Sequence, residues 1–401
     1  MPKSSSLLRT KRYGLFWISS LLSNIGTWMQ QVAQPWIVFN LTGSSFWVGL
    51  DSFAMNAPAW LFSLWGGVLA DRFDRKRIIL IFQAIQFVSV LVLLVLLVTG
   101  NLRIWEIIVI SFLVGSTDAL SMPAFQSVIP SLVDSDELPR AIALNSTQFN
   151  LSRVLGPAIG GFLLTAAGAR ACFGANLVSY LPFFLSIYWI YPRPEMKDAG
   201  STMGSAGMKI REHGYLSMLR DPVFRVPLLI LFISAAFCSP LISFTSVIVK
   251  NVFQAGPGVL GWSAASFGIG GVIGALFFPA FSTFFSKPSR FAGWVAVGVG
   301  AITAMVSFAH SLLIFDLLLF FGGAALTLSN TSVNSALQGN ATNLFRGRVV
   351  SLFQLTLHGG ISTGSLLTGI ISSKYGIQKA LLINGALAVA FQLVVLAFQR
   401  K

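Results

Sequence analysis

The sequence predicts an all-α membrane protein whose twelve transmembrane helices form two pseudo-symmetric six-helix bundles. Three observations carry that expectation. Hydrophobic residues fill 55% of the 401 positions and charged residues only 10%, with a mean hydropathy of +0.77; a soluble globular chain has roughly 25% charged residues. Apolar runs of the ~20 residues that a helix needs to cross a bilayer recur twelve times. The two halves also echo each other. A shift of 208 residues superposes Gly115 on Gly323, Ser121 on Ser329, Arg140 on Arg348, Gly156 on Gly364, Gly161 on Gly369 and Gly168 on Gly376. Phe is abundant (35 residues) and alternation of period two is absent, which speaks against an outer-membrane barrel.

The first six spans are expected at 13–41, 44–70, 77–99, 104–132, 138–166 and 170–191. Span one has no short apolar core followed by a small-residue cleavage site, so it reads as a retained anchor. Spans two and three flank a densely charged turn, and spans four and five flank Asp134–Glu137. The stretch 192–222 is the one long polar interruption; its Pro, Gly and Ser content reads as a linker, with a short amphipathic helix around 209–220. Six more spans follow at 223–249, 257–285, 290–308, 311–338, 346–373 and 377–398. The domains are therefore an N-terminal bundle (1–191), a cytoplasmic linker (192–222) and a C-terminal bundle (223–401). Duplicated halves around a midplane site are a transporter architecture.

Net charge is +14, and topology accounts for it without nucleic acid. With the N-terminus in the cytoplasm, 21 of the 27 Lys and Arg fall on the cytoplasmic side, five on the other, and Arg153 inside a span. This obeys the positive-inside rule and places both termini in the cytoplasm. Cys172 and Cys238 are isolated thiols, and with three histidines in the chain they suggest neither a disulfide framework nor a metal site. No cofactor is expected.

The turn after span two reads Gly67-Val-Leu-Ala-Asp-Arg-Phe-Asp-Arg-Lys76, then Arg77. Two acids and four bases cannot sit in hydrocarbon, so the turn lies in water. Gly67-x-Leu69-Ala70-Asp71-Arg72-x-x-Arg75-Lys76, together with the six-plus-six spans and the central loop, resembles the major facilitator superfamily over the whole chain. That superfamily's usual loop has Gly where this chain has Asp74. The variant, with Pro123-Ala124-Phe125-Gln126, Pro130, Leu138-Pro139-Arg140-Ala141 and Gly156-Pro157-x-x-Gly160-Gly161, resembles the enterobactin-exporter and macrolide-efflux branch.

The resemblance implies a gate. Asp71 would pair with Arg75 and face the start of span eleven near Arg346 and Arg348, with Arg72 beside it, holding the cytoplasmic side shut. Arg72, Lys76 and Arg77 also serve simply as positive-inside anchors. The corresponding loop of the second half, Phe281 to Lys287, has lost the acids, which makes the latch one-sided. Similarity of Gly156, Pro157, Gly160 and Gly161 to the antiporter motif of drug exporters favours efflux, although plain helix packing explains the glycines nearly as well.

Intramembrane charges are costly and are functional candidates by default. Asp118 and Arg153 lie equally far from the turn between spans four and five, so they are expected at one depth as a pair or shared network. That pair either orients two helices or lets Asp118 titrate and couple protons to substrate. Asp51 and Asp316 lie near outer span ends and can reach outside water; Asp51 is the alternative proton carrier. His358 lies mid-span in span eleven, where it titrates or packs helices.

Polar stripes mark a cavity. Span one offers Asn24, Thr27, Trp28, Gln31 and Gln34, and span ten offers Thr327, Asn330, Thr331, Asn334 and Gln338. Span four adds Met122, Phe125 and Gln126, span five Asn150, and span seven Phe237, Cys238 and Thr245. The same amides could be interhelical glue. Amides and aromatics with few charges suit an amphipathic ligand; a phosphate or dicarboxylate site would want more Arg or Lys.

The expected function is secondary active transport, as a proton-coupled exporter of siderophores or drugs by alternating access. Siderophore export and multidrug resistance are the biological settings it suggests, and the protein is expected to act as a monomer in the lipid bilayer. An uptake transporter for a small polar solute is the alternative, and a membrane sensor without flux a weaker one. A membrane enzyme is disfavoured: Asp71 and Asp74 sit among four bases, and no second acidic cluster exists. ATP drive is disfavoured because the chain lacks a phosphate-binding Gly-x-x-x-x-Gly-Lys-Ser/Thr loop.

Overall fold

The computed structural model describes residues 7–190, 215–282, 288–341 and 346–398, and among these every regular element is a helix. Span one is Lys11–Thr42, and span two is Ser45–Asn56 continued as Pro58–Arg72. Span three is Arg75–Thr99 and span four Ile104–Leu132. Spans five and six run as one element, Leu138–Trp189, which doubles back at Gly168. Span seven is built from Pro222–Phe237, Pro240–Ser243 and Thr245–Asn251. Spans eight to twelve are Pro257–Ser282, Pro288–Val306, Leu312–Gly339, Arg346–Tyr375 and Ile377–Phe398.

Eight helices among the described residues are long and apolar enough to cross a membrane on their own. The twelve passes exceed that number for physical reasons. Leu138–Trp189 is one helix by hydrogen bonding but two passes by direction. Span two is divided at Pro58, whose nitrogen carries no proton to bond the preceding turn. Spans one and eleven are rich in polar residues, Gln, Asn and Ser in the first and Ser, Thr, Arg and His in the second, which lowers their hydropathy. Most of the expected linker, residues 191–214, lies outside the described residues; the short helix is seen as Tyr215–Arg220. Asp221 then caps span seven, accepting a hydrogen bond from the Val223 amide at 2.9 Å.

Turns use residues suited to them. Gly168 (φ 74°) and Gly376 (φ 86°) occupy left-handed backbone between spans five and six and between eleven and twelve, where a Cβ would be strained. These two glycines are partners under the 208-residue shift.

The packing is duplicated as well. Spans one, two, three and three pack on five, four, four and six; spans seven, eight, nine and nine pack in the same way on eleven, ten, ten and twelve. The pairing extends to single glycines. Gly156 of span five rests on Trp28 of span one, and Gly364 of span eleven on Ala236 of span seven. Gly115 rests on Met55 of span two, and Gly323 on Phe267 of span eight. Between helices in a bilayer, small residues supply association by letting backbones approach. Two seams join the bundles: span two with eleven, and span five with eight.

The ends of the spans differ. One end, here the basic end, carries Arg72, Arg75, Lys76, Arg77, Arg140, Arg290 and Arg348; the other, the far end, carries the Gly43, Gly100, Gly168 and Gly376 turns.

Candidate transport pathway

The far end is closed by backbone contact. Gly161 of span five meets Gly261 of span eight, so a Cβ on either would run into the other's Cα. On the opposite seam a Cβ on Gly49 of span two would lie 3.0 Å from the Cα of Gly369 in span eleven and 2.5 Å from the Ser365 carbonyl. Gly161 and Gly369 are again partners under the 208 shift, so one closure is repeated about the pseudo-twofold axis. At the rim, Lys250 of span seven donates to Asn40 Oδ1 of span one, and its ammonium lies 5.8 Å from the Trp36 ring and 5.5 Å from the Phe39 ring.

Deeper along the span two–eleven seam the contacts turn polar. Ser52 Oγ donates to Ser365 Oγ at 2.9 Å. Asn56 Oδ1 lies 2.9 Å from His358 Nδ1, and Trp60 Nε1 donates to the Leu355 carbonyl at 3.0 Å. These span-two residues recur every four positions, which keeps them on one helix face. His358 thus makes a helix-packing hydrogen bond between bundles.

On the span five–eight seam sits Arg153. Its guanidinium lies 5.9 Å from the Trp28 ring and 5.6 Å from the Phe267 ring, an arrangement of the cation–π type. Room for it comes from Gly271, where a Cβ would be 3.4 Å from Nη1. The expected pairing of Arg153 with Asp118 is not formed. Asp118 instead accepts from Gln86 Nε2 of span three at 2.6 Å, and Gln86 also donates to Thr117 at 3.0 Å. Equal depth did not bring them together because span four packs on spans two and three, whereas span five packs on one and eight.

Asp51 does not reach outer water. It is 5% exposed and lies inside the first bundle. Gln34 Nε2 donates to its two oxygens at 2.9 and 3.0 Å, and Ser111 Oγ donates at 2.5 Å. Gln34 Oε1 accepts from Gln30 (3.1 Å), and Gln30 Oε1 accepts from Asn176 (2.5 Å). A wire of amides therefore runs from span two through span one to span six. Asp316 is half-buried and accepts from Ser263 Oγ at 2.6 Å.

The gate expected at the basic end falls partly beyond what is described. The side chains of Asp71 and Arg346, and the loop 283–287, lie outside the described residues, and the expected Asp71–Arg75 latch lies outside them too. Arg72 is exposed; Arg75 and Arg348 are half-buried and engaged. Asp74 plays a plain structural part. It caps span three, accepting from the amides of Lys76 at 2.8 Å and Arg77 at 3.2 Å. Lys76 reaches across to the Tyr188 carbonyl at 2.6 Å and ties the loop to span six.

A family model described as transmembrane secretion effector matches residues 3–401. The protein belongs to the major facilitator superfamily. It is similar to the staphyloferrin A transporter of Staphylococcus aureus, 25% identical over 390 residues and 96% of each chain. It is also similar to the multidrug efflux pump Tap of Mycolicibacterium fortuitum, 23% identical over 389 residues, covering 94% of this chain and 93% of the pump. Further relatives, an enterobactin exporter and a macrolide efflux protein among them, come from the branch that the loop and span-five residues resemble. Among solved structures, a D-xylose–proton symporter superposes with a TM-score of 0.77 at 13% identity, over 96% of this chain and 97% of its own, which speaks to the fold alone.

As a superfamily member, the protein is a multi-pass membrane transporter of small molecules. Its expected cavity residues divide into two groups. Trp28 beside Arg153, exposed Gln31, Gln126 and Met122, and half-buried Asn24 line helix faces that packing leaves open. On span ten, Asn330 is half-buried with an Oδ1 that has no hydrogen-bond partner among the described residues, and Asn334 accepts from Gln338 at 3.0 Å.

The remaining residues pack elsewhere. Gln34 is committed to Asp51. Phe125 sits 5.9 and 6.0 Å from Phe16 and Phe183 in the first bundle's own core, and Phe237 stacks on Phe391 of span twelve at 5.8 Å. Asn150 donates to its own helix at Ser146. Gly156, Pro157 and Gly160 are buried; the two glycines seat span five on span one, while Gly161 faces the other bundle. A hollow of about 420 Å³ between Thr10–Arg12 and Leu132–Glu137 lies at the basic end of the first bundle, away from both seams.

Proposed function

We propose that this transporter is a proton-coupled exporter of small amphipathic molecules, of siderophore or drug type, working as a monomer by alternating access in a bacterial inner membrane with both termini in the cytoplasm. The observation that carries the reading is the twofold glycine closure at the far end. It holds the bundles together through backbone contact at Gly161–Gly261 and Gly49–Gly369, where no side chain of either glycine has to be unthreaded. Such a surface separates and reseals at low cost, as rocking of one bundle on the other requires. The charge bias of the loops supports the orientation, and the far end then faces the outside. The kinship with an efflux pump and a family described as a secretion effector supports export.

Two carboxyls are candidates for coupling. Asp118 is held by one amide of span three, and Asp51 is wired by Gln34 and Gln30 to Asn176 of span six. Neither faces a cation among the described residues, so either can change protonation without breaking an ion pair there. The test is counterflow and gradient-driven flux in proteoliposomes under an imposed pH difference, with siderophore, macrolide and dye candidates. Asp118→Asn abolishes pH-driven flux while leaving counterflow intact if Asp118 couples; Asp51→Asn does so if Asp51 couples. Full pH-driven flux in the double variant overturns proton coupling through these acids, and accumulation against the expected direction overturns export.

A further inference from the structure

We propose that Arg153 is the anion-recognition residue of the transport site, and that the cargo is an amphipathic organic anion presenting a carboxylate to it. The proposal rests on the reading of this protein as a transporter whose cargo passes between the bundles.

The first ground is a missing counter-charge. A cation at mid-membrane depth is expensive unless it has a partner. Apart from Asp71 and Glu106 at span ends, three carboxylates lie inside spans among the described residues, and each is committed to a neutral donor: Asp51 to Gln34 and Ser111, Asp118 to Gln86, Asp316 to Ser263. Among the described residues no acceptor holds a hydrogen bond to the Arg153 guanidinium, whose contacts are the Trp28 and Phe267 rings. Five N–H donors in a planar fork are thus presented to whatever enters the seam. A guanidinium matches a two-oxygen anion through paired, charge-assisted bonds.

The second ground is location. Arg153 is half-buried on the seam that must part for cargo to pass. Trp28 comes from span one, Phe267 and Gly271 from span eight, and Thr327 of span ten stands beside Gly271, where a Cβ would lie 2.9 Å from its hydroxyl. Spans from both bundles therefore surround one charge, and an anion bound there contacts both. Phe149 extends the aromatic wall, its ring edge-on to Trp28 at 6.0 Å. A charged fork beside aromatic faces fits a molecule with an anionic end and an apolar or aromatic body.

The test uses the full-length protein in nanodiscs and ligand pairs that differ in charge: fluorescein against rhodamine 123, and 2,3-dihydroxybenzoate against 2,3-dihydroxybenzamide. Binding is read by titration of tryptophan fluorescence, with thermal unfolding as the fold control. The wild type is expected to favour the anionic member of at least one pair, and Arg153→Gln to lose that preference by about tenfold or more while the neutral or cationic member changes little. Arg153→Lys, which keeps charge but not the fork, should fall between them, and it carries the test if Arg153→Gln does not fold.

The proposal is overturned if the wild type binds no anion above its partner, if anion binding survives in Arg153→Gln, or if that variant weakens both members equally. Proton coupling and direction are read separately in the flux assay, so a wild type that selects anions through Arg153 without responding to pH would sink the coupling reading alone.

Discussion

The far-end closure makes a sharp prediction about Gly161→Ala. The added methyl group points at the Cα of Gly261 and lies 3.2 Å from the Pro257 carbonyl oxygen, so the obstruction is backbone and cannot rotate aside. Spans five and eight must part. Overpacking of this kind costs about 1–3 kcal/mol. In a state open at the far end the two spans are separated, so the methyl group meets no protein and the cost falls on the closed state alone. At ~1.4 kcal/mol per tenfold, the equilibrium shifts toward far-end opening by roughly 5- to 150-fold. Spin labels at Leu41 and Tyr375, both exposed at the far end and one from each bundle, report the shift as a longer distance population in pulsed dipolar spectroscopy. The buried Cys172 and Cys238 are first replaced. Gly49→Ala on the opposite seam should act likewise, whereas Gly174→Ala, with nothing within 4 Å of the new methyl, should leave the distances unchanged. An unaltered distribution in folded Gly161→Ala, or an equal shift in Gly174→Ala, refutes the reasoning.

Two further substitutions address the supports around the pathway. Gln34→Ala strips Asp51 of two of its hydrogen bonds and cuts the wire to Gln30, and should lower stability by about 1–3 kcal/mol in chemical unfolding from mild detergent. Combined with Asp51→Asn the loss should be less than additive, since both act on one network. Asp74→Ala removes the cap of span three and should cost about 1 kcal/mol, whereas Asp74→Gly, the superfamily's usual residue there, should cost only a few tenths; equal losses in thermal unfolding would contradict the capping role.

The fold was legible because hydropathy in a membrane chain is a nearly direct record of helix position. Each expected span reappears within a few residues, and the glycine coincidences at an offset of 208 turn out to be equivalent contacts. Hydropathy did not register the local turn chemistry, the break of span two at Pro58 and the cap of span seven at Asp221. The site was less legible. Depth along a helix can be counted from a shared turn, which is why Asp118 and Arg153 looked paired. Rotation and neighbour identity cannot be counted that way, and span four faces Gln86 instead. Phe125 and Gln34 failed as cavity residues for the same reason. The partners that sequence reasoning missed, Gln30, Gln86, Ser111 and Asn176, share one signal: a polar side chain inside an apolar run needs a partner. Phe267, Gly261 and Gly49 carried no signal before the seams were known.

The duplication itself separates scaffold from chemistry. Under the shift of 208, the closure glycine Gly161 maps onto the closure glycine Gly369 and the turn glycine Gly168 onto the turn glycine Gly376, while their partners Gly261 and Gly49 map to Phe53 and Pro257. The intramembrane charges do not follow: Asp51 maps to Val259, Asp118 to Leu326, Arg153 to Ile361, and Asp316 back to Ile108. Gln34 and Trp28 map to Ile242 and Ala236. A glycine contact is useful on both seams because it serves motion, which both bundles share. A buried charge is tolerated only where it has a role, because each one costs free energy in hydrocarbon. The second bundle has therefore kept the hinge surfaces and replaced most of the charged positions with packing. The span five–eight seam is left with the one mid-membrane cation among the described residues, and the span two–eleven seam with Ser52, Asn56 and His358. Two seams of like geometry and unlike chemistry suit a machine in which one seam recognises the cargo while the other registers whether the bundles are closed.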